Sequence, residues 1–411
     1  MSTREILLII RHLAPATLRL PAEIRNAYLD AIMNPSSNEM PRLECPANNL
    51  TRYTYLQPPH DGKPPLIEYF FALNLRQNLA LLPRLIGSIV ETIRFLGPER
   101  CALSIVEGNS VDGTEEVLAA LAPHLLALGT TYHFRSSPIN PKQKGGDRIV
   151  ALAQLRNLAL EPLFPSSPGE PSRNSRQFAP PADTTVIFLN DVAICPADIL
   201  ELVHQRTKQG ADMVCAMDWT HVGPQPTFYD VWISRQMNGD SFFRIPVGTG
   251  SWDFAWDLFW NAEDGTKARF EAARPFQVFA CWNGAVAFTA EPVMLPTPDS
   301  EGGGGKGVRF RSTRKGECRQ GEPQLFCKDL WWGGWGKIAV VPSVNLEYTD
   351  ARGKRIKENK GWVEGLIEKG EADGGGEDRI EWRAQPPDGV KCFAGWKKQF
   401  YQPWNHTQPG V

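Results

Sequence analysis

The chain of 411 residues lacks a long hydrophobic run. The apolar stretch at residues 5–10 is followed at once by Arg11 and His12, whereas a membrane-spanning helix needs about 18 or more apolar residues. The same segment has no clean small-residue cleavage site of the kind that ends a secretory signal peptide. We therefore expect a soluble chain, or a lumenal chain that meets a membrane only through an anchor absent from this sequence.

Three further features are absent, and each absence excludes a class of protein. The formal net charge is −2, and a general nucleic-acid binder would carry a basic excess. The eight cysteines include no CxxC pair, which argues against a zinc ribbon. Neither GxxxxGK[ST] nor a GxGxxG after a first strand occurs, so a P-loop and a dinucleotide fingerprint are excluded.

Seven of the eight cysteines, all except Cys45, divide into two groups by position. Three lie in strand-like or strand-end segments and are predicted to be buried thiols: Cys101, Cys195 and Cys215. Four in the later half could form disulfides: Cys281, Cys318, Cys327 and Cys392. Two glycosylation triplets, at Asn49 and Asn405, are compatible with a secretory lumen.

The hydrophobic content of 42% and charged content of 22% are ordinary for a globular protein. Residues 1–65 are expected to form an N-terminal stem or cover, with helical pieces around 3–13 and 21–33. Residues 66–350 are expected to form one large domain that carries the candidate site residues described below. Residues 351–411 are expected to be an extension packed on it. Low-complexity stretches predict surface insertions at 163–183, 297–307 and 370–378.

From residue 67 onward, strand and helix patterns alternate. Strands are predicted at 67–73, 101–106, 131–135, 186–189, 213–217, 276–280, 338–341 and 344–348. Helices are predicted at 81–96, 114–128, 148–160 and 196–209. This alternation predicts right-handed βαβ units, and therefore an α/β fold with a mainly parallel, Rossmann-like sheet flanked by helices.

The strand at 186–189 stops at Asn190 and Asp191. In an open α/β sheet, ligands bind at the carboxyl ends of the strands. A carboxylate there can bind a divalent cation that bridges to phosphate oxygens. Taken alone, Asp191 is explained more simply as a cap on the next helix.

Two other segments suit a nucleotide. Glu107 and Asp112 follow the second strand in a polar stretch ending at Thr114, the expected N-cap, although an Asx-turn before a capped helix would also explain them. The basic loop at 141–148 opens the third helix with Arg148, and amides at a helix start suit a diphosphate. Arg156 lies two turns further along that helix. An exposed basic loop is, however, usually only solvated.

The later half holds the remaining candidates. Trp282 and Asn283 follow a predicted strand, and Glu347 stands at another strand end. Glu322 and Asp329 are seven residues apart, so both project from one face if the segment is helical. One could bind a hydroxyl group of an acceptor substrate while the other supports the site. Alternatively, Asp329 only forms a surface ion pair with Lys328.

Several blocks in fixed order resemble the fungal cryptococcal-type α-1,3-mannosyltransferases, the capsule-associated glycosyltransferase family 69. These blocks lie at 71–75, 96–99, 104–114, 155–159, 188–192, 281–284 and 325–331. The resemblance runs from about residue 67 to 350. It implies a GT-A fold, GDP-mannose as donor, retention of configuration, Mn2+ or Mg2+, and a place in the Golgi or secretory lumen.

The resemblance implies that Asn190 and Asp191 stand at the metal-binding acidic motif and that Glu107 and Asp112 hold the nucleoside. The other roles that follow are assigned from residue type and position. Those expected to bind the nucleotide sugar are Asn74, Glu107, Asp112, Arg148, Arg156, Asn190 and Asp191. Those expected to bind the acceptor are Trp282, Asn283 and Asp218. Catalytic roles are expected for Glu322 and Asp329, and metal binding for Asp191 and Glu347. The alternatives are a transferase using another donor, such as a UDP-sugar, and a catalytically silent glycan-binding protein of the same fold.

Overall fold

The computed structural model describes residues 20–46, 50–59, 65–164, 180–222, 225–249, 252–262, 265–295, 307–372 and 378–406. The helix expected at 3–13 and most of the insertions expected at 163–183, 297–307 and 370–378 lie outside these residues. So do Asn49 and Thr407 of the two glycosylation triplets. None of the helices in the described ranges is both long and apolar enough to cross a bilayer.

The helices and strands of the described residues have the following bounds. The strands are β1 (Tyr69–Leu75), β2 (Cys101–Glu107), β3 (Thr131–Ser136), β4 (Thr185–Leu189), β5 (Met213–Val222), β6 (Gln225–Phe228), β7 (Phe276–Gln277), β8 (Ala285–Thr289), β9 (Ile338–Leu346), β10 (Gly389–Gly395) and β11 (Lys398–Pro403). The α-helices are α1 (Ala22–Met33), α2 (Leu82–Leu96), α3 (Thr114–Ala120), α4 (Ala122–Leu128), α5 (Arg148–Leu160), α6 (Pro196–Gln209), α7 (Thr266–Glu271), α8 (Glu291–Met294), α9 (Glu322–Trp332), α10 (Asp350–Lys360) and α11 (Val363–Ala372).

One mixed sheet forms the centre of the molecule, with the strand order β3-β2-β1-β4-β8-β5-β9-β7. The pairs β3–β2, β2–β1, β1–β4 and β5–β9 are parallel, whereas β8 runs antiparallel to β4 and β5 on either side of it. The strands β10 and β11 form a separate antiparallel hairpin. The predicted α/β class with a mainly parallel sheet in one domain is thus confirmed.

The core lies on both faces of this sheet because successive side chains of a strand point to opposite faces. In β1, Phe71 packs into one apolar layer and its neighbour Phe70 into the other. Helices α2 and α6 belong to the first layer, and α5 and α9 to the second. All five residues of β4 are buried, as expected for a strand covered on both faces.

Some predicted bounds differ from the observed ones for local reasons. The single helix expected at 114–128 is two helices that meet at Leu121, because Pro123 lacks the N–H that would continue the ladder. Thr114 is the first residue of α3 and Gly113 is its N-cap. The strand expected at 276–280 keeps only its first two residues, since the N–H groups of Phe279 and Ala280 donate to Arg235 instead.

The disulfide pattern corrects part of the cysteine prediction. Three bonds are formed: Cys45–Cys195, Cys215–Cys281 and Cys318–Cys392. Cys101 is a buried free thiol as predicted, and Cys327 is one against the prediction. Cys195 and Cys215, which were predicted to be free thiols, are both paired. The prediction missed this because strand patterns indicate burial but not which distant segment packs alongside. The partners here are 150 and 66 residues away in sequence.

Both ends of the described chain pack on the sheet domain. Helix α1 packs against α2, and the hairpin of β10 and β11 is joined to the segment before α9 by Cys318–Cys392. A Cβ on Gly239, which has a φ of +80°, would lie 1.9 Å from the carbonyl oxygen of Gly389, so the hairpin backbone is in direct contact with the domain. The division at residues 65 and 350 remains a prediction.

Candidate active site

The carboxyl ends of β1, β2, β4, β5 and β9 share one edge of the sheet because these strands run in the same direction. Asp191 follows β4, and Glu347 follows β9. Asp218 lies in β5 beside Leu346, the last residue of β9. The structure therefore gathers at one edge residues that are far apart in sequence, which is where an open α/β sheet binds its ligands.

Asp191 is a half-buried carboxylate beyond the end of β4. Its Oδ2 accepts a hydrogen bond of 3.2 Å from Asn78 Nδ2. Burial raises the pKa of Asp191, while Asn78 and Arg156 act to lower it. The N–H of the preceding Asn190 donates to the carbonyl of Gly284 at 2.8 Å, which fixes the strand end against the segment entering β8.

That segment makes a sharp turn before β8. Asn283 and Gly284 both have positive φ, 53° and 81°, a conformation that glycine adopts without strain. A Cβ on Gly284 would lie 3.1 Å from Val192 Cγ1 and 3.3 Å from Asp218 Cβ. A side chain at this position would therefore require Val192 and Asp218 to shift by a few tenths of an ångström.

Glu107 and Asp112 organise the loop after β2. Glu107 is fully buried, and its carboxylate accepts the N–H groups of Asn109 and Ser110, each at 2.9 Å. Asp112 Oδ2 accepts the N–H of Leu79 at 3.0 Å and so ties this loop to the one after β1. Both carboxylates are thus engaged with backbone groups, and their contact with a nucleoside remains a prediction.

Two further donor-side candidates lie near this edge. Asn74 is the half-buried, next-to-last residue of β1, paired with Val106 of β2. Arg148 is exposed at the start of α5. Burial raises the pKa of Tyr229. The charges of nearby carboxylates, including Asp191, also raise this pKa, and the charge of Arg148 lowers it. Arg148 and Asp191 therefore lie on the same side of the molecule, around Tyr229.

Arg156 is the buried cation of the site. Its Nε donates to Glu322 Oε1 at 2.9 Å, and its NH1 lies 3.5 Å from Asn190 Oδ1. Its guanidinium carbon lies 4.4, 5.2 and 5.6 Å from three ring centroids, those of Trp282, Phe188 and Phe310. An arginine held by a carboxylate and by aromatic faces keeps one orientation, here with one nitrogen beside the end of β4.

Three carboxylates, Asp191, Asp218 and Asp230, form what we call the acidic edge. Asp218 accepts the hydroxyl of Tyr348 at 2.6 Å, and Asp230 Oδ2 accepts the N–H of Asn283 at 3.0 Å. Burial, followed by the charge of Asp230, raises the pKa of Asp218 well above its usual range. Burial raises the pKa of Asp230 to about 6. In all three carboxylates, burial disfavours the ionised form.

Asp230, with the neighbouring Tyr229, was not found from the sequence. It follows β6, a four-residue strand that includes Pro226, and a proline weakens a strand prediction. A signal was nevertheless present, since the stretch Thr227–Tyr229 ends on a carboxylate in the same way that β4 ends near Asp191.

The expected acceptor residues need a correction. Trp282, Asn283 and Asp218 are all at most 1% exposed, so in this structure none offers a surface to a sugar. Trp282 instead donates from Nε1 to Asn190 Oδ1 at 3.0 Å, and Asn283 Nδ2 donates to the carbonyl of Ala216 at 2.8 Å. They pack beneath the site and hold it in shape.

Glu322 is also corrected. It begins α9, is 3% exposed, and is paired with Arg156. A carboxylate buried against a guanidinium is not open to an acceptor hydroxyl. Glu322 therefore orients Arg156, whereas the half-buried Asp230 keeps part of its surface exposed.

Asp329 faces a different group of charges, which we call the ion cluster: Arg311, Glu317, Lys328 and Asp329. Arg311 contacts Asp329 at 2.6 Å and Glu317 at 2.7 Å, and Lys328 contacts Glu317 at 2.8 Å. Although burial acts to raise it, bonds from Arg311 and Lys328 lower the pKa of Glu317 to about 2. The structure does not bring Asp329 together with Glu322, and a nucleophilic role for it is not supported.

Glu347 is buried as well. Its Oε2 accepts the N–H groups of Tyr348 and Thr349 at 2.5 and 3.1 Å, and its Oε1 lies 3.5 Å from Arg352. These contacts hold the turn that leads into α10. Glu347 as a metal ligand therefore remains a prediction that would require these bonds to be released.

The acidic edge fits a hard divalent cation with few protein ligands. Asp191 is half-exposed, and Asp218 Oδ1 is buried without a hydrogen-bond partner among the described residues. Carboxylates whose ionised form is disfavoured by burial gain from a nearby cation. In the described part of the chain, no three His, Cys, Asp or Glu residues are grouped to hold a metal. The donors present suit Mg2+ or Mn2+ completed by phosphate oxygens and water.

Comparison with known sequences gives two matches. Residues 68–329 match a family model described as Cryptococcal mannosyltransferase 1. The chain is 34% identical over 340 residues to the Alpha-1,3-mannosyltransferase CMT1 of Cryptococcus neoformans var. neoformans, over 79% of this chain and 67% of that protein. The family match contains every candidate residue named above except Tyr348 and Glu347.

Comparison with solved structures gives weaker likenesses. The mannosyltransferase PcManGT from Pyrobaculum calidifontis, in complex with GDP-Man and Mn2+, is 12% identical with a TM-score of 0.38, over 72% of this chain and 62% of that one. TarS 1–349 of S. aureus is 11% identical with a TM-score of 0.36, over 69% and 60%. The chain thus spans about three fifths of each, and at these TM-scores neither likeness supports a conclusion about function.

Proposed function

Because the chain belongs to the cryptococcal mannosyltransferase family, we propose that it transfers mannose from GDP-mannose to a hydroxyl of a mannoside or glycan acceptor. The membership confirms the predicted family and, at the level of the family, the predicted glycosyltransferase class. The α-1,3 linkage is part of the proposal because the relative bears that name. The GT-A type of fold and retention of configuration are also part of it.

The observation that carries the proposal is the convergence of Asp191, Arg148 and Arg156 on one edge of the sheet. Arg156 is pre-oriented by Glu322 and three aromatic rings, and Arg148 stands exposed at a helix start. Fixed cations and helix-start amides are what a diphosphate requires. In a transfer reaction they stabilise the charge that develops on the leaving diphosphate, with no reorganisation during the step.

A divalent cation held by Asp191 would supply further charge neutralisation on the diphosphate. It would also offset the excess of carboxylates at the acidic edge. The chain itself contributes orientation: Asn78 holds Asp191, and Asn190 lies between Arg156 and Trp282. We propose Mn2+ or Mg2+ because the available donors are oxygens.

On the acceptor side we propose that Asp230 positions the attacking hydroxyl. It is half-buried at the acidic edge, and its Oδ2 accepts a hydrogen bond from the N–H of Asn283. The bond to the diphosphate oxygen breaks as the acceptor oxygen bonds to the sugar carbon on the same face. The departing diphosphate oxygen takes the hydroxyl proton, so no protein nucleophile is needed and configuration is retained.

We propose the Golgi or another part of the secretory lumen as the compartment. Three disulfides in the described chain support an oxidising environment.

The experiment is a donor screen with the purified chain. GDP-mannose, UDP-glucose and UDP-N-acetylglucosamine are each incubated with a methyl α-mannoside acceptor, with Mn2+ or with EDTA, and products are identified by NMR. We expect an α-1,3-linked product from GDP-mannose with Mn2+ only. Turnover of a UDP-sugar instead would overturn the donor. Glycan binding without turnover of any donor would favour the silent alternative.

A further inference from the structure

A row of aromatic side chains leads away from the acidic edge. Tyr229 is 49% exposed and lies edge-on to Tyr348, with 5.0 Å between ring centroids. Trp232 follows three residues later and is 41% exposed. Two residues of chain span at most about 7 Å, so the backbone of Trp232 lies close to that of Asp230. The row therefore starts at the candidate acceptor side of the site.

Trp232 belongs to a group that we call the tryptophan platform: Trp232, Trp252, Phe393 and Trp396. Trp232 stacks on Phe393 with centroids 4.3 Å apart and meets Trp396 edge-on at 5.9 Å. Trp396 meets Trp252 edge-on at 5.9 Å. Phe393 is buried at the centre, and the three tryptophans around it keep part of their surface exposed. A cluster of exposed aromatic side chains marks a binding site more often than single, scattered exposed side chains do.

The platform is held rigidly although it joins distant parts of the chain. Phe393 and Trp396 lie on or next to the hairpin of β10 and β11, which Cys318–Cys392 ties to the segment four residues before Glu322. Arg235 Nε donates to the carbonyl of Lys391 at 2.8 Å, and the N–H of Gly248 donates to that of Trp396 at 2.7 Å. A binding surface fixed in advance loses little entropy when a ligand binds.

We propose that Trp232 and Trp396 form an acceptor subsite that binds a sugar ring of a mannose-containing oligosaccharide, beyond the unit whose hydroxyl is attacked. This rests on the proposed function, because it assigns the acceptor to the Asp230 side of the site. A sugar ring packs its apolar C–H face on an indole and leaves its hydroxyls to water, and indoles combine a large flat face with low conformational entropy. The enzyme therefore prefers oligosaccharide acceptors to single sugars.

The test measures binding of α-linked mannose oligosaccharides of one to four units, without any donor, by calorimetry and tryptophan fluorescence. On the unaltered chain we expect affinity to rise by about tenfold once the oligosaccharide is long enough to reach the platform. Trp232→Ala and Trp396→Ala should lose that rise, whereas Trp232→Phe should keep part of it. Trp256→Ala is the matched control: Trp256 is 76% exposed and lies outside the platform.

Affinity that does not change with chain length, or a rise that survives both alanine variants, would overturn the subsite. So would binding of phosphatidylcholine vesicles through the platform with no response to oligosaccharide. The length series on the unaltered chain needs no variant to fold. If GDP-mannose is not a donor but length-dependent binding is observed, the proposed function fails and the subsite stands. If transfer occurs equally to single sugars and to oligosaccharides, with KM unchanged, only the subsite fails.

Discussion

Helix α9 carries two carboxylates whose surroundings differ in kind. Glu322, at its start, pairs with Arg156 beneath the acidic edge, and Asp329, two turns later, belongs to the ion cluster. In the ion cluster, cations match carboxylates, and the pKa of Glu317 falls to about 2. At the acidic edge, burial raises the pKa of Asp191, Asp218 and Asp230. Among the described residues, cations of the chain pair with the carboxylates of the ion cluster, and they do not do so with the carboxylates of the acidic edge.

This difference separates a structural group of charges from a candidate site. A folded chain stabilises carboxylates whose only role is structural by pairing them. Carboxylates that remain unfavourable when ionised persist where a ligand completes them. Because a diphosphate is itself negative, the acidic edge can receive it only with cations present. In the proposed function, Arg148 and Arg156 would supply two of these, and a metal at Asp191 would supply the third.

The largest expected effect is from Asp191→Ala. If Asp191 holds the cation that neutralises the diphosphate, kcat for mannose transfer should fall by about a thousandfold. The melting temperature should stay close to that of the unaltered chain, because Asp191 has a single side-chain bond, to Asn78, among those described. Steady-state kinetics with Mn2+ and thermal unfolding check both. Activity near normal would remove Asp191 from the donor site.

Arg156→Lys should lower kcat by about a hundredfold. A lysine keeps the charge but cannot hold a planar fork between Glu322 and the ring of Trp282. Arg311→Lys is the matched control, since it changes the same residue type in the ion cluster. It should reduce the free energy of unfolding and leave kcat within about twofold. An equal loss of kcat in both variants would show that the two regions are not functionally distinct.

The contributions of the two regions to the free energy of unfolding should change with pH in opposite directions. The pKa of Glu317 drops from 4.5 to about 2 on folding, so its contribution to stability is present above about pH 4.5 and is lost as pH falls toward 2. The pKa of Asp230 rises from 3.8 to about 6, so its contribution is present below about pH 4 and is lost as pH rises through 6.

Urea unfolding from pH 3 to 8 measures both effects. Glu317→Gln should flatten the loss of stability on the acid side, and Asp230→Asn should flatten the loss between about pH 4 and 6. Matching pH profiles for the two variants and the unaltered chain would contradict the assigned charge states.

The smallest expected effect on catalysis is from Asp329→Asn. Removing one carboxylate from the ion cluster leaves Arg311 paired with Glu317, so transfer should continue within about twofold of normal. The free energy of unfolding should fall by about 2 kcal/mol, measured by urea denaturation. A loss of kcat comparable with that of Asp191→Ala would restore Asp329 as a catalytic residue.

Much of the fold follows from local sequence patterns. The helix at 196–209 and the burial of β4 are set by short-range periodicity, which also placed Asp191 beyond the end of a buried strand. Because all parallel strands end at one edge, this position made Asp191 a candidate site residue, and its role there remains a prediction.

The failures share a different cause, which is long-range packing. The spacing of Glu322 and Asp329 puts both on one face if the segment is helical, and the segment is a helix. Their partners are nevertheless different cations, Arg156 on α5 and Arg311 in the preceding loop. Nothing in the local pattern indicates which cation will lie beside which carboxylate. The same limit applies to Cys195, whose partner is 150 residues away, and to Trp282, whose indole is covered by neighbours from other segments.

The most direct measurement is thermal unfolding of three chains with GDP and Mn2+: the unaltered chain, Asp191→Asn and Asp329→Asn. A ligand that binds only the folded state raises the melting temperature, and the rise grows with the logarithm of the ligand concentration relative to Kd. If the acidic edge is the metal and diphosphate site, GDP with Mn2+ stabilises the unaltered chain and Asp329→Asn alike, and fails to stabilise Asp191→Asn. Equal stabilisation of all three chains, or loss in Asp329→Asn alone, would contradict that assignment.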